Sequence, residues 1–206
     1  MSYICLMANR AGAVIAGDSR ETFPAKVHLD WRLKVFALPE RQMVWGVCGP
    51  TLRLGTDLIR WTKHILQAPG ETEEKLEKVG QMVSTLTRLS SFAGKAGPFH
   101  LLIAQVCSGQ LHIWDAVVYQ GQLKSRHLRP AIGQPVFLHA GAWCSAMPEF
   151  DPEELRELDY DALREAARTR AALAIERDEA RRAANPRHNQ TIGGQIHLAS
   201  LRFLPT

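Results

Sequence analysis

Two apolar runs joined by a short turn open the chain, and they restrict its fold more than any later stretch does. Tyr3-Ile4-Cys5-Leu6-Met7-Ala8 fits a buried strand, and Ala13-Val14-Ile15-Ala16-Gly17 is long enough for one strand and no helix. Asn9-Arg10-Ala11-Gly12 reads as the turn between them, with its glycine at a positive φ. The strands therefore form a hairpin whose far ends meet. Ser2 lies at one far end, and Asp18, Ser19 and Arg20 lie at the other. Taken alone, Ser2 is a common second residue and Asp18-Ser19-Arg20 a strand-ending turn.

The remainder alternates between strand and helix signals. Glu21 to Asp30 holds Pro24 and mixed polarity, a loop. Lys34 to Leu38 and Met43 to Cys48 read as strands, ended by Pro39 and by Gly49-Pro50. From Thr51 to Ala68 the period becomes helical, with Leu54, Leu58, Trp61 and Ile65 in one stripe. A second helix starts near Thr72, a candidate N-cap, with Leu76, Val79, Val83, Leu86 and Leu89 on its apolar face. Leu52, Trp61 and Phe92 widen the apolar arc of this helix pair beyond one stripe, which suits a contact with a second copy of the chain. Phe99 to Val106, Leu111 to Val118, a weaker strand near Leu123, and Val136 to Ala140 follow. Asp151-Pro152 opens a helical stretch, a clear helix covers Asp161 to Ala184, and Gln195 to Phe203 is a last strand. With no repeat or linker, residues 1–206 are expected to form a single domain of α+β class.

Composition excludes several classes. A 46% hydrophobic content rules out disorder. No apolar run reaches the roughly 18 residues of a membrane helix, and no leader for secretion is seen at the start, so a cytoplasmic location without membrane contact is expected. Cys5, Cys48, Cys107 and Cys144 are scattered among apolar neighbours without a C-x-x-C pair, as reduced core thiols are. The eight histidines show no metal spacing and no evident triad. The +4 formal charge sits mostly in a late helix that also carries acids, so no nucleic-acid partner is expected.

The opening stretch resembles the start of a proteasome β-type subunit, where the mature chain opens on a nucleophilic Thr, runs a hairpin with a turn Gly and continues into an Ala-x-Asp-Ser-Arg signature. Counted from Ser2, the residues Gly12, Asp18, Ser19 and Arg20 fall in that register without a gap, and Lys34 matches the family's active-site Lys. Met1-Ser2-Tyr3 and the Arg32-x-Lys34 context are most similar to bacterial proteasome-like proteins of the Anbu type, or HslV-like ones. The resemblance implies the four-layer αββα sandwich of N-terminal nucleophile hydrolases. It also implies a threonine-protease-type peptidase acting on a peptide or protein, with Ser2 as nucleophile after removal of Met1. It brings no cofactor and no metal. It implies a homo-oligomer, with a ring as one form open to it, and leaves an ATPase unfoldase open as a partner.

Such a nucleophile is activated within its own residue. A free α-amino group has a pKa of about 7.7–8.0 and accepts the hydroxyl proton near neutrality. Lys34 would disfavour protonation of that amine, acting through its charge rather than through packing. Asp18 would hold Lys34, and Arg20 would brace the loop or Asp18. The family also carries a Gly near the end of a strand that lines the substrate groove and supplies an oxyanion donor; Gly46 or Gly49 could serve. Departures concern the outer site. Ala142 stands where the family has a helper Ser, and counting back from Gly193-Gly194 puts Asn189 and Ile192 at the second helper Asp and Ser, with Asp178 as the alternative acid. Arg187-His188-Asn189 is similar to the Anbu-type version. Two other readings therefore stand beside the peptidase: a catalytically weak or inactive scaffold or binding oligomer, and a small-amide hydrolase of the same superfamily.

Overall fold

A strand sends successive side chains to opposite faces, and the opening hairpin shows where those faces go. The computed structural model describes residues 2–22, 28–89, 97–131, 133–141, 147–148, 150–185 and 192–203. Every residue of β1 (Tyr3–Asn9) and β2 (Gly12–Asp18) is buried. Tyr3, Cys5, Met7, Val14 and Ala16 enter one apolar cluster; Ile4, Leu6, Ala8, Ala13 and Ile15 enter another. A hairpin apolar at nearly every position is thus covered on both sides. Truncating one such side chain, as in Leu6→Ala, costs about 2–5 kcal/mol.

The chain continues through β3 (Glu21–Thr22), β4 (His28–Leu29), β5 (Val35–Leu38), a 3-10 turn (Pro39–Arg41), β6 (Met43–Cys48), β7 (Leu52–Arg53) and β8 (Thr56–Asp57). Helices α1 (Leu58–Gln67) and α2 (Thr72–Leu89) precede β9 (Phe99–Cys107), β10 (Gln110–Tyr119), β11 (Gln122–Leu128) and β12 (Val136–Gly141). Then come α3 (Pro152–Glu157), α4 (Tyr160–Ala184) and β13 (Ile196–Arg202). The fold is α+β. Its two larger sheets are antiparallel, one in the order β12-β1-β2-β13 and the other β11-β10-β9-β6-β5.

Three apolar clusters hold these elements together. Trp45, Val47, Leu101 and Ile103 of the five-stranded sheet pack with Leu58, Leu66, Leu76, Val79 and Val83 of α1 and α2. Tyr3, Cys5 and Val14 of the four-stranded sheet pack with Leu155 of α3 and Leu163, Ala167, Ala171 and Ala174 of α4. Ile4, Leu6 and Ile15 meet Val35, Val44 and Leu102 of the other sheet.

Some expectations are corrected. The helix expected from Thr51 starts only at Leu58, because Leu54 and Gly55 take left-handed backbone and turn β7 back along β8. Asp57 then caps α1 by accepting from Arg60 N–H at 3.0 Å. The buried face of α1 is Leu58, Ile59, Thr62 and Leu66, so Leu54 and Trp61 stay outside it. Thr72 is the first residue of α2, and its hydroxyl donates to Gln105 Oε1 at 2.7 Å instead of capping. Leu89 is exposed. The weak strand near Leu123 is a full edge strand that pairs along β10. Gly12 needs no positive φ; it begins β2, where a Cβ would lie 2.3 Å from the Leu201 carbonyl oxygen. Phe92 and Cys144 lie outside the described residues. Among the described cysteines, Cys5 and Cys48 are buried and Cys107 is half-buried. No described helix is long and apolar enough to cross a membrane.

Candidate active site

The hairpin brings Ser2 and Asp18 to one end, and Lys34, immediately before β5, reaches between them. Lys34 Nζ donates to Ser2 Oγ at 2.8 Å and to the Arg20 carbonyl oxygen in a short bond. Both Asp18 carboxylate oxygens lie 3.4 Å from Nζ. The carboxylate also accepts three backbone N–H groups: Tyr3 at 2.9 Å on Oδ1, and Arg20 at 3.1 Å and Gly193 at 3.3 Å on Oδ2. Ser2, Asp18 and Lys34 are all buried.

Burial opposes both charges of the pair. Desolvation pushes the Asp18 carboxyl above the usual range, against Lys34 and the N–H groups of Tyr3 and Gly193, which favour its ionised form. Desolvation likewise holds the Lys34 ammonium below the ordinary lysine range, opposed chiefly by Asp18 and more weakly by Cys48 and Glu21. A lysine so placed releases a proton more readily than a surface lysine and still donates to a neighbouring oxygen. Lys34 is also among the largest fully buried side chains. It fills space as well as carrying charge.

The other expected positions divide. The Arg20 guanidinium engages Asp30, so it braces the loop, while its backbone N–H serves Asp18. Gly46 sits inside β6, paired to Val35 and Leu102, and a Cβ there would press on Ile15 and Val35. Gly49 follows the end of that strand in left-handed backbone. Asn189 and Ala142 lie outside the described residues. Ile192 is buried among apolar residues, and its N–H donates to Asp178 Oδ2 at 3.0 Å. Asp178, fully buried on α4, thus holds the residue next to Gly193, whose own N–H reaches Asp18. Gly141 ends β12 at φ +107, and a Cβ there would lie 1.9 Å from the Ser2 carbonyl oxygen, so glycine lets β12 close against Ser2. Among the described residues, no three His, Cys, Asp or Glu side chains gather where they could hold a metal ion.

No family model matches the chain, and neither does any curated protein. Solved structures do match. Anbu (ancestral β-subunit) from Yersinia bercovieri is 19% identical with a TM-score of 0.57, over 97% of this chain and 81% of that one. The helical assembly of the Anbu complex from Pseudomonas aeruginosa gives 18% and 0.60, over 97% and 81%. Eukaryotic HslV from Trypanosoma brucei gives 15% and 0.50, over 98% and 99%. The chain has the fold of Anbu and HslV. That proteasome-like fold spans nearly the whole sequence.

Within the Anbu and HslV fold, sequence reasoning missed Asp30, Glu21 and the Gly193 N–H. Glu21 carries a weak signal, an acid directly after the Asp18-Ser19-Arg20 run. Its carboxyl is pushed up by burial, with Arg32 and Lys34 opposing. Gly193 is distant from Asp18 in the chain, and no local pattern pairs them.

Proposed function

We propose that this chain is a proteasome-like N-terminal nucleophile hydrolase that cleaves amide or peptide bonds with Ser2. The observation that supports it best is the 2.8 Å contact between Lys34 Nζ and Ser2 Oγ, beside the buried Asp18 carboxylate. Removal of Met1 frees the Ser2 amine. That amine takes the hydroxyl proton as Oγ attacks the carbonyl carbon. The developing oxyanion is met by a backbone N–H near the end of β6, from Gly46 or Gly49. Collapse expels the amine of the substrate, which receives the proton back from the Ser2 amine. Water, deprotonated by the same amine, then hydrolyses the Ser2 ester. Lys34 lowers the proton affinity of the Ser2 amine and hydroxyl, and Asp18 holds Lys34. Arg20 secures the strand end behind them, and Asn189 is assigned to the outer site.

The same reading takes residues 1–206 as one domain, a four-layer αββα sandwich with α1 and α2 outside one sheet and α3 and α4 outside the other. It places the protein in the cytoplasm as a homo-oligomer, as the Pseudomonas Anbu complex forms a helical assembly. Its substrate is a peptide or protein, with an ATPase unfoldase as a candidate partner. Ile192, apolar where the family has a helper Ser, favours a second reading, a scaffold of low turnover. Intact mass and covalent labelling separate the two. Loss of Met1, one β-lactone increment on the N-terminal peptide, and its disappearance in Ser2→Ala are expected. Retained Met1 on most chains would favour the scaffold, and labelling at Cys5 or Cys48 would remove Ser2 as nucleophile.

A further inference from the structure

The bonds that hold Lys34 do not end at Asp18. Besides Ser2 Oγ, the near acceptor of the ammonium is the Arg20 carbonyl oxygen, since the Asp18 oxygens are at the long limit of a hydrogen bond. The position of that carbonyl is set from both sides. Arg20 N–H donates to the Gly193 carbonyl at 3.0 Å. The Arg20 guanidinium makes a two-pronged contact with Asp30, Nε to Oδ1 and NH2 to Oδ2, each at 2.6 Å. Asp30 grips the preceding residue as well, its carbonyl accepting from Ser19 Oγ at 2.5 Å. Ser19 is tied further by Arg32 N–H to its carbonyl at 3.0 Å and by Gln195 N–H to its Oγ at 2.7 Å.

We propose that Asp30 is a positioning residue for Lys34, closing a ring in which the loop that carries Lys34 grips Arg20, and Arg20 in turn presents its carbonyl to the Lys34 ammonium. The ring runs from the Asp30 carboxylate through the guanidinium and backbone of Arg20 to Lys34 Nζ, and back along residues 31–33. The Arg20 side chain is largely buried and that of Asp30 about half exposed, so the clamp is anchored inside and open to solvent at one end. Lys34 also faces Asp18 on β2, Glu21 on β3 and Cys48 on β6, and these stay in place when Asp30 is changed. The meaning of the clamp for catalysis rests on the reading of Ser2 as nucleophile; the ring itself rests on the contacts.

The test reads Lys34 directly. In full-length protein with carbon-13-labelled lysine, the side-chain resonance of Lys34 is titrated by NMR in the parent, in Asp30→Asn and in Arg20→Lys. Asp30→Asn removes the carboxylate, and Arg20→Lys keeps the charge but removes the two-pronged contact. Both are expected to lower the Lys34 midpoint by about half a pH unit or more, because the ammonium loses a well-placed acceptor. A fall in Asp30→Asn alone would reduce Asp30 to a distant charge, and an unmoved midpoint in both would end the proposal. Should Asp30→Asn fail to fold, Arg20→Lys decides the question. Reaction of the parent with a peptide β-lactone is scored separately. A falling midpoint without a Ser2 adduct keeps the clamp and discards the nucleophile.

Discussion

A lysine buried along its whole length against a carboxylate cannot be truncated without exposing what it neutralised. Lys34→Met keeps most of the volume but removes the charge beside Asp18. Breaking a buried pair from one side costs about 3–5 kcal/mol at neutral pH. The sign of its pH dependence follows from Asp18, whose folded pKa is already raised by burial with Lys34 opposing. Without Lys34 it rises further above the unfolded value of about 3.9. A raised acid contributes stability that is fully present below the unfolded pKa and is lost as pH rises through the folded one. Urea denaturation from about pH 4 to neutral should therefore show Lys34→Met losing stability more steeply than the parent. Adding Asp18→Asn should remove the extra slope; an unchanged slope in the single variant would mean that Asp18 does not titrate in the fold. That Ser2 and Asp18 share one end of a hairpin was legible, because two short apolar runs around a turn leave little choice of register. Asp30 and Gly193 were not legible, because their contacts join segments that only the finished fold brings together.

At the scale of elements, strands read well where every position was apolar, as from Met43 to Cys48, and poorly where a turn sat inside a helical period. Leu54-Gly55 was such a turn: Leu54 fitted the stripe of α1, but the left-handed pair bent the chain before the helix began. The edge strand β11 was read as weak because its exposed positions are polar, although its backbone pairs along the length of β10. The approach of α2 to β11 depends on a helical glycine. A Cβ on Gly80 would lie 2.8 Å from Leu123 Cδ2 and 3.0 Å from Leu123 Cβ. Alanine is favoured over glycine in a helix by about 1 kcal/mol, yet overpacking a core contact costs about 1–3 kcal/mol. Gly80→Ala is expected to destabilise the parent and to stabilise a Leu123→Ala background. A double-mutant cycle by urea denaturation measures the coupling. Stabilisation in both backgrounds would show that α2 does not sit this close to the sheet.

At the scale of the whole molecule, the exposed apolar surface decides. Trp61 is 50% exposed, so it does not fill the contact between α1 and α2. Trp31, Leu33, Leu52 and Leu54 are exposed as well. The Arg32–Asp57 ion pair at 2.5 Å ties the loop of Trp31 and Leu33 to the junction of β8 and α1, near Leu52, Leu54 and Trp61. Large apolar side chains held in one neighbourhood and left in water form a surface that association would cover. The prediction is a homo-oligomer larger than a tetramer, a ring or an open segment of one. Light scattering coupled to size exclusion at micromolar concentration measures it. Trp61→Glu places a charge in the contact and should lower the mass without lowering the helix content seen by circular dichroism. A parent that runs as one species at 23.0 kDa, unchanged on concentrating, would contradict the prediction. It would also leave the proposed hydrolase without an enclosed chamber, so that Ser2 would face any polypeptide able to reach the end of the hairpin.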